Sequence, residues 1–176
     1  HYLNIALFLA GKEFPVSASP ASVSGKLFRA RPIETFDNCE VKVLTDGGIP
    51  LINLFTHACE ENYQPKIKIE CENAVIVWHH EGFFQVMDLN NQLLETSASC
   101  SAQDNMFKTF VTKLGKPDTF CCTLQIAMAH TKTIEMLHQN MNVQEIPSAE
   151  IQVKPDDGQR IVPWVANTFD SIFHSI

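Results

Sequence analysis

Seven histidines and six cysteines are the residues with which this 176-residue chain could do chemistry. Metal binding is the first chemistry to weigh. His79 and His80 are neighbours, and neighbours on a strand point to opposite faces, so they cannot hold one ion together. His130 and His138 lie two helical turns apart, too far for a shared ion. Neither HExxH nor a paired Cys/His ligand spacing occurs, and the histidines read as surface and strand-end residues. Nucleophilic catalysis fares no better, because there is no GxSxG and no cysteine has an activating context. Glycine is scarce at seven residues, and neither GxGxxG nor GxxxxGK[ST] appears. The chain therefore carries no phosphate-cradling loop of its own.

Two polar places stand out against that background. Thr56 and His57 end a strand-like run just before the polar Glu60-Glu61-Asn62, where a sheet can present groups to a ligand. A solvated hairpin end has the same sequence. Trp78, Phe83 and Phe84 fit a pocket lining and equally a core or an interface. The other place is the start, where His1 sits directly on HYLNIALFLAG. Leu3, Ile5, Ala6, Leu7, Leu9 and Ala10 have helical apolar spacing, and Gly11 falls where a left-handed C-cap is expected. A helix this short must pack onto something to persist.

Charge and composition narrow the classes. A formal net charge of -7 and a pI near 5.4 exclude a nucleic-acid surface, which needs a basic patch. The lysines and arginines are scattered, and no apolar run approaches a membrane span. The cysteines, at 39, 59, 71, 100, 121 and 122, lack the spacing of a disulfide framework. Cys39, Cys59 and Cys71 fall in or beside apolar strand-like segments, as small buried hydrophobes do. With no signal peptide in the chain, reduced thiols and a cytoplasmic location are the expectation.

The elements that must position these residues follow from periodicity. Phe14 to Arg31 predicts an extended segment and a strand. From Cys39 the pattern is β: Glu40 to Val43 alternates, Asp46-Gly47-Gly48 turns, and Leu51 to His57 returns. Lys66 to Cys71, Ala74 to His79, Phe83 to Asp88 and Gln92 to Thr96 continue as a series of strands joined by tight turns. Ala74 to Trp78 is apolar on both faces, which predicts a central strand covered on both sides. Ala102 to Leu114 predicts a helix with Met106, Phe107, Phe110, Val111 and Leu114 on one side. A longer helix capped at Asp118 or Thr119 is expected through about Asn140, with Phe120, Leu124, Ala127, Ile134 and Leu137 as its stripe and Cys121 and Cys122 on different faces. A short strand at Ala149 to Val153 and a helix at Val162 to Phe173 complete the series. The class is α+β: a large, open-faced, predominantly antiparallel sheet with helices on one face.

In its order and spacing the chain resembles the C-terminal domain of the glucose–fructose oxidoreductase / inositol dehydrogenase (Gfo/Idh/MocA) family. HYLNIALFLAG is similar to that family's H-x-x-[DN]-hydrophobic-run-G segment. PIETFDNCEVKVLTDGGIPLINLFTHA is similar to its stretch of a charged residue, an aspartate and a two-strand hairpin, and CCTLQIAMAHTKTIEMLHQNM to its penultimate helix. The resemblance implies that residues 1–176 are a substrate-binding and oligomerisation domain of dihydrodipicolinate-reductase-like fold. NAD or NADP would be bound mainly by an N-terminal Rossmann domain that this chain lacks.

On that resemblance His1 is the acid/base catalyst, and Asn4, Thr56 and His57 contact the substrate at one edge of the sheet. Asn4 stands where many members have Asp. The implied substrate is a sugar, cyclitol or related polyol, and the implied partner is a second copy, through the open sheet face around Val75 and Val77. Neither nucleic acid nor membrane is an expected partner. An imidazole, ordinarily near pKa 6.5, suits removal of a hydroxyl proton near neutral pH. An alternative of a different class is a non-enzymatic protein-interaction module using the open sheet face, since an exposed apolar face marks a partner surface.

Overall fold

The computed structural model describes residues 1–60, 63–99, 101–155, 158–163 and 165. In chain order its elements are α1 (Tyr2–Leu9), β1 (Pro20–Arg29), β2 (Asn38–Thr45), β3 (Pro50–Thr56), β4 (Lys66–Glu70), β5 (Val75–His79), β6 (Phe84–Met87) and β7 (Leu93–Thr96). There follow α2 (Ala102–Gly115), α3 (Leu124–Asn140), β8 (Val143–Glu145), a 3-10 turn (Ser148–Glu150), β9 (Gln152–Val153) and β10 (Arg160–Ile161). The strands do not join into one large sheet. They divide between two compact units, one of His1, Leu3–Asn62 and Leu124–Ile176, the other of Tyr2 and Tyr63–Thr123. Turn chemistry looks alike within and between sheets, so the series of strands gave no sign of the division.

The first unit is built on a four-stranded sheet in the order β3-β2-β1-β8. The hairpin β2–β3 forms where Asp46-Gly47-Gly48 predicts it, with Gly48 at φ +80. β8 adds in parallel to β1, pairing Val143 with Leu27. Three residues with no alternation gave it no signature. The core joins Leu3 and Leu7 of α1 to Val23, Leu27, Cys39, Val41 and Val43 of the sheet and to Ala129 and Leu137 of α3. A second cluster of Ala30, Ala58, Ile146, Val162 and Val165 lies with Phe28 and Ile151. β9 and β10 form a separate two-stranded pair.

Helix α3 departs from expectation at its start and in its phase. It begins at Leu124, so Asp118 and Thr119 do not cap it, and Cys121 and Cys122 precede it. Its buried residues are Ile126, Ala129, Thr133 and Leu137, whereas Leu124 is 87 % exposed. Thr133 is tolerated inside because its hydroxyl donates to the Ala129 carbonyl at 2.8 Å. Gly11 is likewise not left-handed. Its glycine identity has a steric cause, since a Cβ there would stand 1.8 Å from the Val16 carbonyl oxygen. Cys71 is exposed rather than buried.

The second unit is a meander, β4-β5-β6-β7, entirely antiparallel, with α2 after it. β5 lies inside the sheet as expected, yet each of its residues is only half-buried. Ile67, Ile69, Ile76, Trp78 and Val86 share one face by register. Asn91, at φ 62, turns the chain between β6 and β7. Ser101 caps α2, accepting from the Asp104 amide at 3.2 Å. Among the described residues from Tyr63 to Thr123 none is fully buried. The apolar stripe expected on α2 is present and bare, Met106, Phe107, Phe110, Val111 and Leu114 being 60 to 75 % exposed.

The helix expected over Val162 to Phe173 lies mostly outside the described residues, as do Glu61, Asn62 and Cys100. No described helix is long and apolar enough to cross a membrane.

Candidate functional site

At the end of the first unit's sheet, β1 finishes, β2 starts and β3 finishes within a few residues of one another. Asp37 ties the three together. Its amide donates to the Phe28 carbonyl at 3.0 Å and its carbonyl accepts from the His57 amide at 2.8 Å. Its side chain, in a residue only 4 % exposed, turns back into the loop between β1 and β2. There it accepts from the amides of Ala30 at 3.0 Å and Arg31 at 2.8 Å. It also accepts from Asn38 Nδ2 at 2.6 Å. A carboxylate buried this deeply persists because each oxygen has N–H donors in place of water.

The chain of bonds continues across the strands. Asn38 faces Thr56 in the β2–β3 register, and the Thr56 hydroxyl donates to Asn38 Oδ1 at 2.5 Å. The same hydroxyl accepts from the Ala58 amide at 3.1 Å. Its one proton is thereby committed, which leaves one acceptor lone pair. Among the described residues His57 is hydrogen-bonded through its backbone, to Asp37 and to the Arg31 guanidinium, which donates to its carbonyl. Its side chain is exposed.

Beside it opens a shallow hollow of about 230 Å³ lined by Phe36, Asp37, Cys39, Phe55 and His57. The His138 ring of α3 lies 5.9 Å from that of Phe36. Burial pushes the Cys39 thiol up to about 11, against a smaller opposing effect of its bond to the Phe55 backbone. That thiol stays protonated and acts as lining, not as a nucleophile.

His1 stands at the N-cap of α1, exposed, with no side-chain capping bond, and its carbonyl accepts from the Ile5 amide at 3.0 Å. On α3, burial holds the pKa of His130 below the ordinary histidine value. His130 precedes His138 by eight residues, about 12 Å of helix. Asn4 is half-buried in the first turn of α1. The structure thus gathers Thr56 and His57 with Asp37 and Asn38, and places His1 at the start of α1. Among the described residues no hydrogen bond joins His1 to Thr56 or His57. Asp37 and Asn38 were not expected from sequence. The aspartate of the PIETFDNCEVKVLTDGGIPLINLFTHA stretch is their one signal in sequence, and it carries no site role there.

The His130 shift gives a pH dependence. A histidine with a depressed folded pKa binds fewer protons folded than unfolded, so it costs stability as pH falls from 6.5 toward that folded pKa, and nothing above 6.5. His130→Gln, which cannot take up a proton, is expected to lose less melting temperature on acidification below pH 6.5 than the parent chain. Equal losses in the two would show that burial of His130 does not disfavour its charged form.

No protein-family model matches the chain, and no curated protein matches it. Solved structures do. UDP-N-acetylglucosamine 3-dehydrogenase GnnA from Acidithiobacillus ferrooxidans superposes with a TM-score of 0.59 at 13 % identity, over 78 % of this chain and 43 % of that one. A D-galactose-1-dehydrogenase protein from Rhizobium etli superposes with a TM-score of 0.56 at 10 % identity, over 81 % and 42 %. The chain spans less than half the length of either. The likeness to these two dehydrogenases is one of fold alone.

Proposed function

We propose that this chain is the C-terminal substrate-binding and oligomerisation domain of a cytoplasmic NAD(P)-dependent oxidoreductase of the Gfo/Idh/MocA type, acting on a sugar, cyclitol or related polyol. The observation that carries this reading is a fold shared with under half of each of two sugar dehydrogenases, in a chain without GxGxxG. Its sequence holds neither GxGxxG nor GxxxxGK[ST], the loops that cradle a pyrophosphate. In this reading NAD or NADP is held by a preceding domain, and these residues supply groups for the substrate alone.

His57, exposed beside the hollow, is the proposed contact to substrate hydroxyls. Thr56 offers its remaining lone pair and Asn4 a further polar group. Site groups of this kind reject analogues lacking a hydroxyl, because the unmatched partner stays unpaired. His1 is the proposed acid/base catalyst. Its imidazole, uncommitted to capping, would take the hydroxyl proton of the alcohol.

Two measurements test this. The 176-residue chain, assayed with both nicotinamide cofactors and a polyol panel, is expected to show no turnover. In a whole protein carrying the preceding domain, His1→Ala is expected to lower kcat by about 100-fold or more while cofactor affinity stays unchanged. Turnover by the chain alone would remove the need for another domain, and an unchanged kcat would remove His1 from the mechanism.

A non-enzymatic interaction module is favoured by one observation, the bare α2 stripe of a second unit in which no described residue is fully buried. An apolar surface of that kind is ordinarily covered by a partner. In the oligomerisation reading the cover is a second copy, reached through the β4–β7 sheet around Val75 and Val77. Sedimentation at micromolar concentration is expected to give a dimer or larger species. A clean monomer would leave the module reading ahead.

A further inference from the structure

The hollow at the His57 end of the first unit has an aromatic side that the hydroxyl contacts assigned to His57 and Thr56 leave unused. Cys39 and Phe55 stand opposite each other in the β2–β3 register, so both lie on one face of the sheet. That face is the core side, since Cys39 is buried with Val41, Val43 and Leu137. Phe36, just before β2, and Phe55 both pack against that cluster. Each is half-buried, and each also lines the hollow. From the last turn of α3 the His138 ring packs on Phe36, 5.9 Å away and tilted by 43°. The two rings are therefore held by the core behind them.

The lining brings little charge. Burial keeps the Cys39 thiol protonated. The Asp37 carboxylate turns into the loop between β1 and β2, where the Ala30 and Arg31 amides and Asn38 Nδ2 take up its oxygens. His57 remains as the exposed polar side chain of the lining, with ring nitrogens able to donate or accept. Two aromatic rings and a neutral thiol thus face one imidazole.

A ligand for such a lining needs an apolar face and a polar edge. A pyranose has both, because its axial C–H bonds point to the faces of the ring and its equatorial hydroxyls to the edge. Those C–H groups carry a small positive charge, which suits the negative face of an aromatic ring. An open-chain polyol has no fixed apolar face and must give up rotational freedom to make one. The volume, about 230 Å³, lies below the roughly 300 to 1,000 Å³ of a site for a drug-sized ligand. It seats one ring.

We propose that Phe36 and Phe55 form a stacking wall that selects a closed sugar ring, taking its C–H face while His57 meets its hydroxyls. The proposal rests on the sugar reading above and narrows its ligand from polyols at large to cyclic ones. Phe36 and Phe55 are then the residues that set specificity, and His138 positions Phe36.

NMR titration of the chain with glucose, sorbitol and cyclohexanol tests this. Glucose has the ring and the hydroxyls, sorbitol the hydroxyls without the ring, and cyclohexanol the ring without most of the hydroxyls. Glucose is expected to bind about fivefold or more tightly than either. Its ring protons should move upfield on binding, as protons over an aromatic face do. Phe36→Leu and Phe55→Leu keep apolar bulk without the π face. Each is expected to weaken glucose about three- to tenfold and to reduce the upfield shift, leaving sorbitol unchanged. Circular dichroism checks the fold of both variants, and the upfield shift in the parent chain decides the matter if either fails to fold.

Sorbitol or cyclohexanol binding as tightly as glucose would overturn the proposal. Glucose protons that do not move upfield, or leucine variants that bind glucose like the parent chain, would do the same. His57→Ala separates the wall from the sugar reading. Glucose binding that falls with His57→Ala but not with the leucine variants would remove the wall and keep that reading. Glucose stacked on the wall, in a whole protein that oxidises no ring sugar, would keep the wall and defeat the dehydrogenase. Glucose that does not bind at all would defeat both.

Discussion

Replacing Asp37 by alanine is expected to destabilise the chain by about 3 to 5 kcal/mol, against the roughly 5 to 15 kcal/mol that holds an ordinary domain together. The magnitude follows from what is left behind. The Ala30 and Arg31 amides and the Asn38 amide nitrogen all lose their acceptor, and Ala30 and Asn38 are buried. A buried donor without an acceptor costs about 1 to 3 kcal/mol. Asp37→Asn keeps one oxygen but sets an NH2 group among donors, and about half the loss is expected. The variant would also loosen Thr56 and His57, because Asn38 connects them to Asp37. Urea denaturation of both variants measures this, and a midpoint for the alanine variant within error of the parent would mean that the loop holds itself.

Gly25→Ala is the second large effect. Gly25 sits inside β1 opposite Val41, at φ +149. A Cβ there would come 2.0 Å from the Glu40 carbonyl oxygen and 3.0 Å from Val41 Cα. Both neighbours are backbone of β2, the strand between β1 and β3, so neither can turn aside as a side chain could. We expect a loss of about 3 kcal/mol or more, or no accumulation of folded chain. Gly48→Ala is the control. It has φ +80 but nothing within 4 Å of the added Cβ, so only the left-handed backbone counts, about 1 to 2 kcal/mol. Equal losses for the two variants would show that the approach of β1 to β2 is not this close.

The contrast between those glycines also explains what the sequence could reveal. Gly48 belongs to a local turn, and Asp46-Gly47-Gly48 announces it. Gly25 answers to a residue fifteen positions away, and nothing beside it in sequence says so. The hairpins from Lys66 to Thr96 were legible for the same local reason. Their division from β1, β2 and β3 was not, because the loop after His57 reads like any other. Helix α3 was legible as an element but not in phase. Phe120 and Leu124 look like core residues, yet the buried face runs through Ile126, Ala129, Thr133 and Leu137, one of them a threonine. The candidate site was half visible. Thr56 and His57 end a strand, which sequence marks, while Asp37 and Arg31 act through backbone groups that only the folded loop brings near.

The parallel pairing of β8 with β1 has a consequence for how the chain is made. Leu27 and Val143 are partners, and the core that includes Leu7 and Leu27 is closed by Ala129 and Leu137. Between the two halves of that unit the ribosome must synthesise Tyr63–Thr123. At roughly 5 to 20 residues per second this takes on the order of 3 to 12 seconds, during which α1 and the β1–β2–β3 sheet wait with one apolar side uncovered. Contacts this distant in sequence also slow closure once α3 has emerged, since a long loop must be brought together before they can form. A nascent chain held in that state is a natural client for a chaperone that shelters apolar sheet surface.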